Sequence, residues 1–318
     1  MASKRVLVHT TFLFLLPVVV AGWGLSVWAA TGLILLMLLW RWSISLSAFV
    51  MPEKVPALVL DTISASHFVE KVRWNMDHAG LDYTENVSGG TLGAFFIGRT
   101  VPRLRIQTGA TMSQIGNSPE ILRYLWGAFA GAADVNVGHL EPTSERLELE
   151  RRLDRYGVNL QVWIYHHILE DRDHALRLWG AGSAAVPVWQ RSALRALFPL
   201  QAYLIRKSFR ITPERADKAR QHIETLLAEM DAALADGRTS VLGGEAINFT
   251  DITFAALTGL WLQPPEYGGG RADDIRIPRD QLPDAMRADI ERWTEDNPRA
   301  VPWVQRLYAE ERQPHGGA

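Results

Sequence analysis

The chain has 318 residues, and its 33 Lys and Arg residues nearly balance its 35 Asp and Glu residues, for a formal net charge of −2. This balance gives no electrostatic reason to expect a nucleic-acid partner. The sequence contains no cysteine, which excludes disulfides, thiolate metal sites, a cysteine nucleophile and a mixed disulfide on the protein. The length exceeds that of one average domain, so we expect two folded units and an additional segment.

The N-terminal part of the sequence is strongly apolar. No Asp, Glu, Lys or Arg occurs from Val6 to Trp40. As one helix this stretch would extend roughly 50 Å, against a hydrocarbon core of about 30 Å. The sequence Gly22-Trp23-Gly24 favours a break, so residues 1–50 are predicted to form a transmembrane helical hairpin with spans Val6–Ala21 and Leu25–Trp40. The alternatives are one tilted span or a pair of helices buried in a soluble protein.

Positive residues flank the two predicted spans. Lys4 and Arg5 lie at one end, and Arg41 and Lys54 lie at the other. Because basic residues favour the cytoplasmic side, we expect both ends of the hairpin there. The sequence therefore predicts a lipid bilayer as a partner and a membrane localisation, with the remaining, soluble domain on the cytoplasmic side.

A strand, a helix and a second strand are predicted next. Ala57–Leu60 is a short apolar run that indicates a buried strand. Apolar residues then recur at helical spacing from Phe68 to Ala79, and Gly80 is typical of a helix C-terminus. Leu81–Val87 is interpreted as the second strand. This order is typical of the beginning of a βαβ unit.

Ser66 stands at the start of the predicted helix. A serine is a favourable N-cap, and on spacing alone that role is the simpler interpretation. The same geometry also suits anion binding, because a hydroxyl and free backbone N–H groups at the positive end of a helix stabilise negative charge.

Two further segments carry similar signals. The first is Val101-Pro102-Arg103-Leu104, where the start of a strand is implied only by the family resemblance described next. In the segment from Ile115 to Leu125, Asn117 and Ser118 precede an amphipathic helix. From the residues alone, either side chain could be an N-cap of this helix.

Taken together, these segments resemble the glutathione S-transferase superfamily. The run Ser66-His67-Phe68-Val69-Glu70-Lys71-Val72-Arg73-Trp74 is similar to the first helix of its serine-type, theta-, zeta- and omega-like members, and the two later segments follow in the family's order. The resemblance spans about residues 55–312. It implies an α/β thioredoxin-like N-terminal domain (55–130) and an all-α C-terminal domain (140–312). His67 replaces the frequent proline, and Asn117 stands where Glu or Gln is more common.

The resemblance also implies roles for individual residues. Ser66 would be the catalytic hydroxyl, and glutathione would be the co-substrate. The residues implied to bind glutathione are Phe68, Val101, Pro102 with a cis peptide bond, Asn117, and Ser118 at the γ-glutamyl carboxylate. A homodimer is the habit of the family.

The leading functional hypothesis is a membrane-anchored glutathione transferase that activates the glutathione thiol for attack on a small apolar electrophile. The sequence does not distinguish conjugation from ether cleavage or dehalogenation by the same thiolate. A non-catalytic, membrane-tethered binding or scaffold protein with the same fold is the alternative from a different class, favoured by the departures at His67 and Asn117.

The C-terminal half is predicted to be helical nearly throughout. Helices are expected at Glu145–Leu169, from the cap Thr212-Pro213 to about Leu234, and after a capping box at Asn248-Phe249-Thr250-Asp251. If the family fold holds, Tyr156, Trp163 and His166 are candidates for the electrophile pocket. His166, His167 and His174 do not form a metal-binding pattern, so we expect no metal.

The segment Val186–Arg210 mixes apolar and basic residues. It is interpreted either as a basic amphipathic helix on anionic lipid or as a core helix with a solvated basic edge.

Overall fold

The computed structural model describes residues 19, 22–23, 26–47, 56–63, 65–90, 101–108 and 111–312. The chain divides into two compact units. The first takes in Met1–Ala57 and Ile106–Ser113, and the second takes in Leu58–Arg105 and Gln114–Ala318. The first unit contains helix α1 (Val27–Ser47).

The predicted transmembrane hairpin and membrane localisation are corrected by the structure. Across the residues described, no helix combines the length and the apolarity needed to cross a membrane. In α1 the uncharged stretch Val27–Trp40 ends at Arg41, and it extends only about 21 Å, less than the ~30 Å of a hydrocarbon core. Apart from Val19, the first predicted span, Val6–Ala21, lies outside the described residues.

A four-stranded sheet follows, with strands β1 (Ala57–Thr62), β2 (Thr84–Val87), β3 (Arg103–Thr108) and β4 (Thr111–Gly116) in the order β2-β1-β3-β4. β1 and β2 are parallel, with Val59 opposite Thr84. Parallel neighbours need a crossover, and helix α2 (His67–His78) provides it. The predicted order of strand, helix and strand is confirmed, although β2 begins three residues later than expected.

Nine α-helices follow the sheet in the described part of the chain. In chain order they are α3 (Ser118–Phe129), α4 (Ser144–Ile168), α5 (Arg172–Leu178), α6 (Val188–Ala196), α7 (Phe198–Phe209), α8 (Pro213–Ala233), α9 (Phe249–Leu262), α10 (Asp284–Asp296) and α11 (Ala300–Glu311). A small sheet followed by a helical part is the coarse architecture that the family resemblance implies. The exact domain boundaries stay a prediction.

Helix α9 is the centre of the core of the second unit. Its residues from Phe249 to Trp261 are all buried, and it packs against both α2 and α4. The predicted capping box begins this helix, because the buried Asp251 carboxylate accepts hydrogen bonds from the Asn248 backbone at 2.8 Å and from Ser240 Oγ at 2.7 Å. The box satisfies backbone N–H groups that would otherwise be buried without partners.

A buried ion network fixes α2 against the C-terminal part of the second unit. We call it the α2 ion network, and its members are Glu70, Arg73, Asp77, Glu85, Arg271 and Arg312. Arg312 donates from Nε to Glu70 Oε1 at 2.7 Å and from Nη1 to Asp77 Oδ2 at 2.8 Å. Arg73 donates to both oxygens of Glu85, at 2.7 and 3.0 Å, and Arg271 also pairs with Glu85.

The network contains three carboxylates and three guanidinium groups, so its formal charge is balanced. Burial alone would raise the pKa of Glu85, but Arg73 and Arg271 reverse the effect and hold it at about 2. Buried ions that are paired in this way hold the elements that carry them in one arrangement. The network therefore fixes α2, and with it the helix start at Ser66.

Candidate functional site

A cavity of about 530 Å³ opens in the second unit beside the starts of α2 and α3 and one side of α4. Its polar side contains three hydroxyl or amide groups, one imidazole and one carboxylate, contributed by Ser66, His67, Asn117, Ser118 and Asp154. Its other side is formed by aliphatic and aromatic residues of α4, α5, α7 and α9. One cavity thus joins a polar region to an apolar one, as ligand sites commonly do.

Ser66 caps helix α2 and also faces the cavity. Its backbone is extended (φ −75°, ψ 117°), and its Oγ accepts a hydrogen bond from the Val69 backbone N–H at 3.4 Å. Because the cap uses only a lone pair, the hydroxyl proton stays available to a ligand. The capping and functional interpretations of Ser66 are therefore compatible.

The start of α3 is built differently from that of α2. Asn117 has a left-handed backbone (φ 76°), and its side chain makes no capping hydrogen bond within the described structure. Ser118 is 1 % exposed, and its Oγ has no hydrogen-bond partner in the described part of the chain. Buried hydroxyls normally have a partner. A buried unpaired hydroxyl that lines a cavity at a helix N-terminus has the chemistry that suits an anion.

His67 connects the start of α2 to the middle of α4. Its Nε2 lies 2.9 Å from the carbonyl oxygen of Gly157, and the ring is buried. A carbonyl only accepts, so Nε2 carries the proton and donates it. Gly157 allows this close approach, since a Cβ there would lie 2.7 Å from Cζ of Phe68. His67, which stands where the family that the sequence resembles more often has proline, thus holds α2 against α4.

We expect His67 to make the protein less stable in acid. Burial lowers its pKa from 6.5 to about 4, and the bond to the Gly157 carbonyl offsets only part of this effect. Between these values the unfolded chain binds more protons than the folded one, so the free energy of unfolding falls as the pH falls. The loss attributable to His67 is on the order of 3 kcal/mol when it is complete.

Urea unfolding of the wild type and of His67→Asn at pH 7 and at pH 4 measures this contribution. We expect a smaller difference between the two pH values in the variant, while His222→Asn, at an exposed position, matches the wild type. Burial lowers the pKa of His139 to about 3, so His139 maintains part of the pH dependence of the free energy of unfolding in every variant. Equal pH dependence in wild type and His67→Asn would contradict this role.

Asp154 brings a carboxylate to the polar side of the cavity. It is 30 % exposed and accepts from Lys71 Nζ at 3.1 Å, while the same ammonium donates to the buried Glu150 at 2.8 Å. One lysine therefore faces two carboxylates, and Asp154 is the one that reaches the cavity. The sequence analysis did not identify Asp154, since nothing in the spacing of α4 marks an acidic residue as inward-facing.

The apolar side of the cavity differs in part from the prediction. On this side α4 contributes Val158, Ile164 and Tyr165 together with the polar Gln161, and the other elements add Leu178, Trp179, Ile205, Phe209 and Leu260. Because a helix turns about 100° per residue, the α4 positions between these lining residues face away from the cavity. The aromatic side chains of α5 and α7 come from segments that the sequence did not connect to the site.

Three residues predicted for the electrophile pocket lie elsewhere. Tyr156 is buried in the core, where its hydroxyl lies 3.1 Å from Thr258 Oγ1. Trp163 is also in the core and donates from Nε1 to Asp289 at 2.8 Å. His166 stacks edge-on against His167, outside the set of residues that line the cavity. The positions of Tyr156 and Trp163 therefore reflect packing of α4 against the core.

The other predicted binding residues lie at or near the polar side. Phe68 and Val101 line the cavity, and Pro102 is buried next to Val101. The Val101–Pro102 peptide bond is cis, as the resemblance implies. The structure thus gathers Ser66, Phe68, Val101, Asn117 and Ser118, which are widely separated in the sequence, around one cavity.

Comparison with known proteins gives weak likenesses. No family model and no curated protein matches the chain. Among solved structures, rice GST1 (OsGSTU1) in complex with glutathione is 17 % identical, with 81 % of this chain and 90 % of that chain covered and a TM-score of 0.46. A glutathione S-transferase from Rhodospirillum rubrum F11 is 15 % identical, with 80 % and 89 % covered and a TM-score of 0.46.

The theta class glutathione S-transferase from Xanthomonas axonopodis pv. citri, with glutathione bound, is 21 % identical, with 79 % of this chain and 97 % of that chain covered and a TM-score of 0.36. All three TM-scores are below 0.5, too low to transfer a ligand or an activity to this chain. The functional conclusions therefore depend on the residues of the cavity.

Proposed function

We propose that the chain is a glutathione-dependent transferase whose cavity holds glutathione on its polar side and an apolar electrophile on its other side. One observation carries the proposal. The unpaired, buried hydroxyl of Ser118 shares a single cavity with the hydroxyl of Ser66, and each lies at the N-terminus of a helix. Two anion-stabilising sites in one cavity suit a ligand with a carboxylate at one end and a thiolate further along.

Ser66 would activate the sulfur of glutathione. A free thiol has a pKa of about 8.5, so little thiolate exists at neutral pH. A hydrogen bond from Ser66 Oγ, together with the positive end of α2, favours the thiolate. The thiol proton leaves to solvent, the thiolate forms a C–S bond with the electrophile, and any leaving group departs with its bonding electrons. Ser66 is neither nucleophile nor base in this step.

Ser118 would bind the γ-glutamyl carboxylate, together with backbone N–H groups at the start of α3. Hydrogen bonds to charged groups contribute about 1.5–3 kcal/mol, so we expect Ser118→Ala to weaken glutathione binding by about 10- to 100-fold. Calorimetric titration of the full chain with glutathione measures the effect. Ser208→Ala, at an exposed position on α7, is the matched control and should bind like the wild type.

If the folded wild type does not bind glutathione, the transferase proposal fails and the scaffold alternative takes its place. If the wild type binds and Ser118→Ala binds equally well, glutathione occupies a different site.

Asp154 would compensate for the departure at Asn117. The α-ammonium group of the γ-glutamyl moiety needs a negative partner, and an asparagine at 117 carries no charge. The partly exposed Asp154 carboxylate lines the same cavity. We expect Asp154→Asn to raise the Kd for glutathione about tenfold but to leave unchanged the weaker binding of an analogue without the α-amino group. A similar loss for both ligands would instead indicate a structural role.

The electrophile is proposed to be apolar because aromatic and aliphatic side chains of α4, α5 and α7 form the opposite side of the cavity. Binding there would be favoured by about 25 cal/mol for each Å² of apolar surface buried. The comparison of kcat/KM for an uncharged aromatic electrophile and for its carboxylated analogue tests this assignment. A preference for the charged compound would contradict it.

Homodimer formation stays a prediction, for which sedimentation of the full chain is the measurement.

A further inference from the structure

Helices α6 and α7 expose an unusual number of large apolar side chains. We call this surface the α6–α7 outer face, and its members, which are 44–68 % exposed, are Val188, Trp189, Leu197, Leu200, Tyr203 and Leu204. The other side of α7 is already buried, with Phe198, Ala202 and Ile205 in a hydrophobic cluster. Contiguous exposed apolar side chains of this kind often mark an interaction surface.

The spacing of the outer face favours a helical partner. Leu197, Leu200 and Leu204 follow one another at intervals of three and four residues, and Lys207 continues the series. Intervals of three and four place side chains in one narrow stripe, which is the pattern by which one helix packs along another. A helix that lies on a lipid surface has polar residues opposite its apolar side, whereas the side of α7 opposite the outer face is apolar and buried.

The charge of this region indicates the chemistry of the partner. Between Asp173 and Glu214 the sequence has no acidic residue, while its basic residues are Arg177, Arg191, Arg195, Arg206, Lys207 and Arg210. Among these basic residues, and within the described part of the chain, only Arg206 has an acidic side chain within 4.0 Å, which is Glu170 at 3.5 Å, and both side chains are exposed. Complementary charge across an interface selects the partner and speeds association.

We propose that the α6–α7 outer face binds an amphipathic helix of a partner protein, with apolar residues at intervals of three and four and acidic residues beside them. The apolar stripe of the partner packs against Leu200 and Leu204, and its carboxylates face the basic end of α7. The inner side of the same helix contributes Ile205 and Phe209 to the cavity, so the partner binds directly behind one wall of the candidate site.

The test uses a labelled 21-residue peptide with Leu at the a and d positions of three heptads and Glu at e and g. Fluorescence anisotropy follows its binding to the full chain. We expect saturable binding that weakens as salt is added, and none for the same peptide with Lys in place of Glu.

Two substitutions locate the surface. Leu200→Glu and Leu204→Glu alter exposed side chains and should weaken binding of the acidic peptide at least tenfold, while Gln221→Glu, exposed on α8, should leave it unchanged. Circular dichroism of each variant checks that it is folded. The proposal is overturned if the acidic and basic peptides bind alike, if Leu200→Glu has no effect, or if the surface instead mediates self-association or binding to anionic vesicles.

Discussion

Replacement of Ser66 by alanine is expected to lower kcat for conjugation of glutathione by about 10²–10³-fold, the usual effect of removing one hydrogen-bond donor to a developing or stabilised anion. The Kd for glutathione should change by a factor of about three or less, because the carboxylate and ammonium contacts remain. Steady-state kinetics with an apolar electrophile, combined with calorimetry, separate the two effects.

The capping role of Ser66 requires a control for stability. Loss of the N-cap costs about 1 kcal/mol with alanine but only a few tenths with glycine. We therefore expect Ser66→Gly to keep nearly the wild-type melting temperature and to lose as much activity as Ser66→Ala, whereas Ser66→Thr keeps both the cap and part of the activity. If Ser66→Gly were fully active, the hydroxyl would have no part in the chemistry.

Replacement of Arg312 by methionine is expected to destabilise the protein by about 3–5 kcal/mol, the largest effect of any single substitution proposed. Arg312 is fully buried and bonds Glu70 and Asp77. Methionine fills similar space but leaves these carboxylates with one fewer cationic partner in a region that excludes water. Urea unfolding at neutral pH measures the loss.

Two further variants identify the cause of that loss. Arg306→Met removes an exposed arginine that lies 4.0 Å from Glu310 on the same helix, and it should change the free energy of unfolding by about 0.5 kcal/mol or less. Combining Arg312→Met with Glu70→Gln should recover about 1–2 kcal/mol of the free energy of unfolding that Arg312→Met loses, because the uncompensated charge of Glu70 is then absent. Additive effects in the double variant would show that the charge of Glu70 is not responsible.

Elements marked by local chemistry were predictable from the sequence. Ser66 with Gly80, Thr212 with Pro213, and Asn248 with Asp251 each mark helix ends through backbone groups only a few residues away, and the structure confirms all three helices. The order of β1, α2 and β2 was also predictable, from the local spacing of apolar residues in each element. Part of the candidate site could be predicted, because the resemblance assigns roles to segments that lie far apart in the chain.

The remaining features depend on contacts between distant parts of the chain. Arg312 and Glu70 are 242 residues apart, and no local pattern connects them. Asp154 and Tyr165 face the cavity while Tyr156 and Trp163 face the core, a distinction set by the rotation of α4 against its neighbours. Apolar content also misled the prediction of a membrane-spanning helix. Composition reports hydrophobicity but not helix length, and none of the described helices is long and apolar enough to cross a membrane.

The most direct test of the account is a titration of the glutathione thiol while it is bound to the full chain, followed by the ultraviolet absorbance of the thiolate. We predict saturable thiolate absorbance with a midpoint well below the pKa of about 8.5 of a free thiol, and a return toward that value in Ser66→Gly. A bound thiol that ionises at the same pH as free glutathione, or no saturable signal at all, would contradict the proposed activation by Ser66.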